Sequence, residues 1–150
     1  MNQIKPGARG NLVIVTGKPD PDLCGVKDFE SQGFEVSVIS QPAKALTLAE
    51  LKPTNWRPAL FIIDTSLPQA SGFDLVRRLK EKWEIHKIPF IMMSEYASPE
   101  DLAESTECGA ISLMKKPLTW AGLSDVIEKE RMRRLKAEIG DLVFKIDCND

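Results

Sequence analysis

Three residues of this chain have the types and positions to do chemistry together: Asp64, Ser94 and Lys116. Asp64 closes the apolar run Ala59-Leu60-Phe61-Ile62-Ile63, Ser94 closes Ile88-Pro89-Phe90-Ile91-Met92-Met93, and Lys116 follows Leu113-Met114-Lys115 and precedes Pro117. An aspartate at the C-terminal tip of a buried parallel strand lies where open α/β sheets place their sites. A carboxylate, a hydroxyl and an ammonium on three successive strand tips make a phosphoryl-handling set, because phosphoryl transfer to a carboxylate is mostly positioning and charge neutralisation. A divalent cation at such a site would need carboxylate and other oxygen ligands. The first apolar run, Leu12-Val13-Ile14-Val15, ends instead in Thr16-Gly17, neither of which carries charge.

The elements that must hold these tips are legible as an alternation of apolar runs and helical patterns, which predicts a parallel sheet with crossover helices. Strands are expected near 12–16, 34–39, 59–64, 88–93 and 111–115. The second, Phe34-Glu35-Val36-Ser37-Val38-Ile39, alternates as a half-exposed edge strand does. Five helical segments lie between and after them. The first follows Asp20-Pro21-Asp22, is weakened by Gly25 and ends at Gly33; the second covers about Ala43 to Leu51. The third carries Leu75, Val76, Leu79 and Trp83 on one face. The fourth opens with Ser98 as cap and Pro99 at its first position, and the fifth is expected from Trp120 to Gly140.

With these motifs in place, the chain resembles the receiver domain of bacterial two-component response regulators, the CheY-like superfamily, over roughly Leu12 to Glu130. Asp64 matches the phosphoacceptor, Ser94 the hydroxyl residue that reaches the phosphoryl group, and Lys116 with Pro117 the phosphate-pairing lysine. The intervals between them, thirty and twenty-two residues, are in the family's register. Leu67-Pro68, Gly72-Phe73 and Gly109-Ala110 match its loops. The resemblance implies a flavodoxin-like (βα)5 fold, a three-layer sandwich around a five-stranded parallel sheet in the order 2-1-3-4-5. It also implies that Thr65 and Glu95 flank the phosphoryl position, and that Mg²⁺, if bound, would use Asp64 and the Ser66 carbonyl.

The chain departs from the family at both ends of the signalling chemistry. Thr16 and Gly17 occupy the positions of the acidic metal-binding pair. Asp20 and Asp22 lie too far along the chain to replace it without a rearranged loop. Glu95 stands as a solvated loop acid or, alternatively, a surrogate ligand. At the output position, where receivers carry Tyr or Phe, this chain has Leu113. Two such losses point to a pseudo-receiver whose Asp64 and Lys116 form a plain ion pair. Restoring acids at Thr16 and Gly17 is expected to raise metal affinity, provided Gly17 needs no positive φ angle.

Size and composition exclude several classes. The 150 residues fit one domain, with 43% hydrophobic and 28% charged residues. Residues 1–10 are expected to be a flexible start, 11–140 the receiver-like domain and 141–150 a tail. A net charge of −2 argues against a bulk electrostatic grip on nucleic acid. The basic run Arg131-Met132-Arg133-Arg134-Leu135-Lys136 reads as a solvated helix face. Three scattered cysteines, Cys24, Cys108 and Cys148, suggest reduced thiols in a cytoplasmic protein. No signal peptide or membrane span is expected. His86, the one histidine, sits in a polar loop and offers no relay.

The reading is a stand-alone signalling module rather than an enzyme, acting by contact with a signalling protein, without a cofactor. Two alternatives stay open: a conventional receiver phosphorylated on Asp64 by a histidine kinase with Mg²⁺, and a small-anion binder using the Thr16-Gly17-Lys18 loop. The stripe Leu123, Val126, Ile127, Leu135 and Ile139, with Leu142, Val143 and Phe144 after it, is expected to serve self-association or a partner unless the tail folds back over it.

Overall fold

The computed structural model describes residues 9–51, 58–83 and 88–148, with the backbone alone at 51, 82–83 and 143–148. In chain order the elements are β1 (Gly10–Val15), α1 (Pro21–Cys24), α2 (Val26–Ser31), β2 (Phe34–Ile39), α3 (Pro42–Leu51), β3 (Pro58–Asp64), β4 (Ser66–Leu67), β5 (Ala70–Ser71), α4 (Gly72–Trp83), β6 (Phe90–Ser94), α5 (Pro99–Cys108), β7 (Ser112–Lys115) and α6 (Trp120–Cys148). Residues 1–120 and 121–150 form two compact units.

The five long strands form one parallel sheet in the order β2-β1-β3-β6-β7. Counted among those strands this is the expected 2-1-3-4-5 order. Continuous apolar runs explain the centre. Val13 to Val15, Leu60 to Ile63 and Phe90 to Met93 are all buried, as strands covered on both faces must be. The alternating β2 forms an edge, and Val38 is exposed there. The main core cluster joins Val13, Val15, Phe61, Ile63 and Met92 to Leu75, Val76 and Leu79 of α4. The Trp83 side chain and His86 lie outside the described residues.

Three local features differ from expectation. The first helix is two, because Gly25 takes a left-handed conformation at φ 71° and ends α1. A β-carbon there would lie 2.8 Å from the Leu118 carbonyl oxygen. Leu118 N donates to Leu23 O at 2.9 Å. The glycine break thus lets the loop after β7 dock beside α1, close to Lys116. Second, a small antiparallel pair, β4–β5, follows β3 and turns through Gln69 at φ 61°.

Third, α6 does not stop at Gly140 but continues as helix to Cys148. Glycine inside a helix costs about 1 kcal/mol relative to alanine. Ion pairs one turn apart support the helix upstream: Asp125–Lys129 at 3.0 Å, Glu128–Arg131 at 3.1 Å, and Glu130 with Arg133 and Arg134 at 2.7 and 3.1 Å. The hydrogen bonds from Arg133 lead in holding the Glu130 carboxyl below its ordinary pKa. The start of the chain is engaged earlier than expected, since Arg9 N donates to Gly33 O and β1 begins at Gly10. Residues 1–8 lie outside the described residues. Among the described residues no helix is long and apolar enough to cross a membrane.

Candidate functional site at the strand tips

Register carries the three chemical residues to one edge. Asp64 pairs with Met93 across β3 and β6, and Ser94 pairs with Lys115 across β6 and β7. Val15, the last residue of β1, pairs with Ile63, so Thr16 emerges beside Asp64. Asp64, Ser94, Lys116 and Thr16 are all buried.

The Asp64 carboxylate is held from three sides. Lys116 Nζ donates to Oδ2 at 2.7 Å, with side-chain exposures of only 4% for the lysine and 7% for the aspartate. Thr16 Oγ1 donates to the same oxygen at 2.8 Å. Ser66 N donates to Oδ1 at 3.2 Å. Thr16 in turn accepts from Lys18 N at 3.1 Å, which orients its hydroxyl. The threonine at the acidic-pair position therefore has a defined partner: it donates a neutral hydrogen bond where an acid would repel Asp64.

Gly17 is closed for a different reason. Its φ lies outside the left-handed region, but a β-carbon there would sit 2.6 Å from Pro68 Cδ and 2.8 Å from Pro68 Cγ. The proline ring fills the space that a side chain at this position would need. Within the same loop Lys18 N donates to Thr16 Oγ1, and Pro19 has no amide hydrogen. Gly72, at the start of α4, is likewise packed, since a β-carbon there would collide with the Asp64 carbonyl oxygen.

Ser94 is near the site but turned elsewhere. Its hydroxyl donates to Asp101 Oδ2 at 2.8 Å and accepts from Ala97 N and Tyr96 N at 3.0 and 3.3 Å. Asp101 lies in the first turn of α5, where Ser98 caps the helix by accepting from Asp101 N. The sequence reading missed Asp101 as the serine's partner, although the Ser98-Pro99-Glu100-Asp101 cap that positions it was visible. Glu95 forms an exposed pair with Lys18 at 3.6 Å, and Asp20 caps α1. Leu113 is partly buried against the core.

Above these groups lies a cleft of about 270 Å³ whose lining includes Asp64, Thr65, Ser66, Ser94 and Lys116. Among the described residues no three His, Cys, Asp or Glu side chains gather as a metal site. Cys24 lies behind the pair, 1% exposed. Burial pushes its thiol pKa up, against a lowering by Lys116. The neutral thiol is therefore favoured in the fold. That contribution is complete below the unfolded-state pKa and is lost as pH rises through the folded-state value, on the alkaline side. Iodoacetamide at mildly alkaline pH is expected to label Cys24 far more slowly in native than in urea-unfolded protein, as read by peptide mass.

The profile of the response regulator receiver domain family matches residues 26–139. The phosphate regulon transcriptional regulatory protein PhoB of Rhizobium meliloti is 30% identical over 123 residues, 82% of this chain and 51% of its own length. The chain thus spans about half of that relative. The two-component response regulator ORR3 of Oryza sativa is 26% identical, over 77% of this chain and 95% of its own. A CheY-like receiver domain protein from Methanospirillum hungatei superposes with a TM-score of 0.67 at 23% identity, covering 85% of this chain and 98% of its own. The receiver domain of the sensor histidine kinase PA1611 from Pseudomonas aeruginosa, solved with magnesium in its active-site cleft, gives 0.66 at 19% identity, covering 81% and 97%. The chain belongs to the response regulator receiver domain family. Its fold is the CheY-like one, and its setting is two-component signalling.

Proposed function

We propose that this receiver works as a pseudo-receiver: it signals by contact with another protein, and Asp64 is not a working phosphoacceptor. One observation carries the reading. Asp64 Oδ2 already receives both Lys116 Nζ and Thr16 Oγ1, and Thr16 is a neutral donor at a position where the family carries an acid. A phosphoryl group arriving at Asp64 brings charged oxygens that a cation must offset. The buried cation, Lys116, is already spent on the carboxylate. The donor set does not fit Mg²⁺, which takes oxygen ligands in octahedral geometry. Thr16 offers one hydroxyl, engaged with Asp64, and Glu95 is paired with Lys18.

In this reading the protein is not an enzyme, needs no cofactor, and its partner is a signalling protein rather than nucleic acid or membrane. A net charge of −2 supports the last point. The conventional receiver, phosphorylated by a histidine kinase, remains the second reading, because the cleft still reaches Asp64, Ser94 and Lys116 together.

The experiment is intact mass after incubation with acetyl phosphate and Mg²⁺. The expected result is largely unmodified protein. A substantial phosphate adduct that Asp64→Asn abolishes would establish the conventional receiver instead.

A further inference from the structure

We propose that Asp101 is a positioning residue that decides where Ser94 points. It holds the serine hydroxyl on α5, away from Asp64, and thereby fixes the loop that presents Tyr96. The assignment concerns an orientation within the cleft and stands whether or not Asp64 accepts phosphate.

Ser94 ends β6, a strand buried along its whole length, and is itself 3% exposed. A buried hydroxyl needs partners, and it has a single hydrogen to give. The carboxylates of Asp64 and Asp101 both line the cleft that Ser94 lines. Asp64 already receives Lys116 Nζ, Thr16 Oγ1 and Ser66 N. Asp101 makes no ion pair among the described residues, and Ser94 Oγ donates to its Oδ2 at 2.8 Å. A hydrogen bond to an ionised carboxylate is about twice as strong as one between neutral groups. The hydrogen of Ser94 therefore goes to the carboxylate that lacks a cation.

The start of α5 brings that carboxylate within reach. Ser98 caps the helix by accepting from Asp101 N at 3.1 Å, and Pro99 takes the first helical position. Asp101 is the third residue of the helix. In a capping box the third residue is Glu or Gln, and its side chain returns to the amide of its own cap. Here the residue is an aspartate, and its side chain meets Ser94, four residues before the cap. The tip of β6 and the first turn of α5 are tied together by this one bond.

The intervening loop depends on the same hydroxyl. Ser94 Oγ accepts from Ala97 N at 3.0 Å and from Tyr96 N at 3.3 Å. With the bond to Asp101 this uses its one donor and both acceptor positions. Ala97 is held at φ 48°, a left-handed conformation uncommon for residues with a side chain. Such a conformation persists only where surrounding contacts enforce it. Turning Ser94 toward Asp64 would break all three bonds together, so the hydroxyl and the loop change as a unit. Tyr96, inside this turn, is 80% exposed, so its outward position is set by a bond to the helix that follows.

The chain has one tyrosine, so 3-fluorotyrosine incorporated into the full-length protein gives a single fluorine resonance from this loop. That resonance and the hydrogen exchange of the Ala97 amide are measured in the parent, Asp101→Ala, Asp101→Asn, Ser94→Ala and the double alanine variant. In Asp101→Ala the resonance is expected to shift and the Ala97 amide to exchange about tenfold faster, the order of one hydrogen bond to a charged group. Ser94→Ala is expected to give the same changes, and the double variant no more than either single one, because all three remove one shared interaction. Asp101→Asn keeps an acceptor oxygen and is expected to return both readings most of the way to the parent. Unchanged readings in Asp101→Ala overturn the proposal, since Ser94 would then be held without it. So do additive effects in the double variant. An Asp101→Asn variant as disturbed as Asp101→Ala also overturns it, because charge at the helix start would then be the cause rather than the bond to Ser94.

Discussion

Lys116→Met is expected to destabilise the fold by about 3–5 kcal/mol, the usual consequence of removing one partner from a buried ion pair. The Asp64 side chain is 7% exposed, so water cannot replace the ammonium. The remaining donors, Thr16 Oγ1 and Ser66 N, are neutral. The methionine keeps the length of the lysine stem, so lost packing contributes little. Urea denaturation of the variant gives the loss directly. Adding Asp64→Asn removes the stranded charge, and the double variant is expected to recover most of the stability, because replacing both members of a buried pair is often nearly neutral. A single-variant loss below about 1 kcal/mol, the range of exposed pairs, would mean that the pair is solvated in solution.

The second large effect separates the two acidic-pair positions. Thr16→Asp replaces a donor 2.8 Å from Asp64 Oδ2 with a second carboxylate. Without a cation the variant is expected to be less stable than the parent, since like charges at this distance cannot both stay ionised cheaply. With Mg²⁺ it is expected to regain stability, by about 2.7 kcal/mol once the metal reaches a hundredfold excess over its dissociation constant. Thermal melts of parent and variant with and without Mg²⁺ provide the measurement. A variant whose melting temperature ignores Mg²⁺ would show that an acid at position 16 alone does not make a site. Gly17→Asp is expected to behave differently. It is destabilised with or without metal, because its β-carbon meets the Pro68 ring at 2.6 Å. The double restoration therefore requires Pro68→Ala as well. A positive φ angle, the condition expected to matter at Gly17, is not the obstacle.

These two variants show how the chemistry has been rearranged. The position that matches the first acid has become a hydrogen-bond donor to Asp64, and its neighbour has been packed shut by a residue on the loop after β3. Ser94 has been drawn toward α5, where Asp101 accepts its hydroxyl. The contacts of Thr16 with Asp64 and of Gly17 with Pro68 link residues far apart in sequence, whereas Ser94 and Asp101 are only seven residues apart.

The order and placement of the five long strands were legible in the chain alone. Strands with unbroken apolar runs can only be central, and the alternating Phe34–Ile39 can only be an edge; glycine, proline and serine at the junctions place the helix ends. So was the set of chemical groups that reach one edge of the sheet, because a parallel sheet delivers every strand tip to the same side. What those groups do to one another follows from how the elements pack. Thr16 and Asp64 are 48 residues apart, and nothing local to either announces a hydrogen bond between them. The commitment of Ser94 to Asp101 depends on where α5 starts relative to β6, a matter of loop geometry. Gly17 gave a charge argument from sequence and a steric one in the fold, since the Pro68 ring comes from another loop. The run of α6 past Gly140 was illegible for a related reason: a glycine read alone is a stop signal, yet the backbone continues through this one as helix to Cys148.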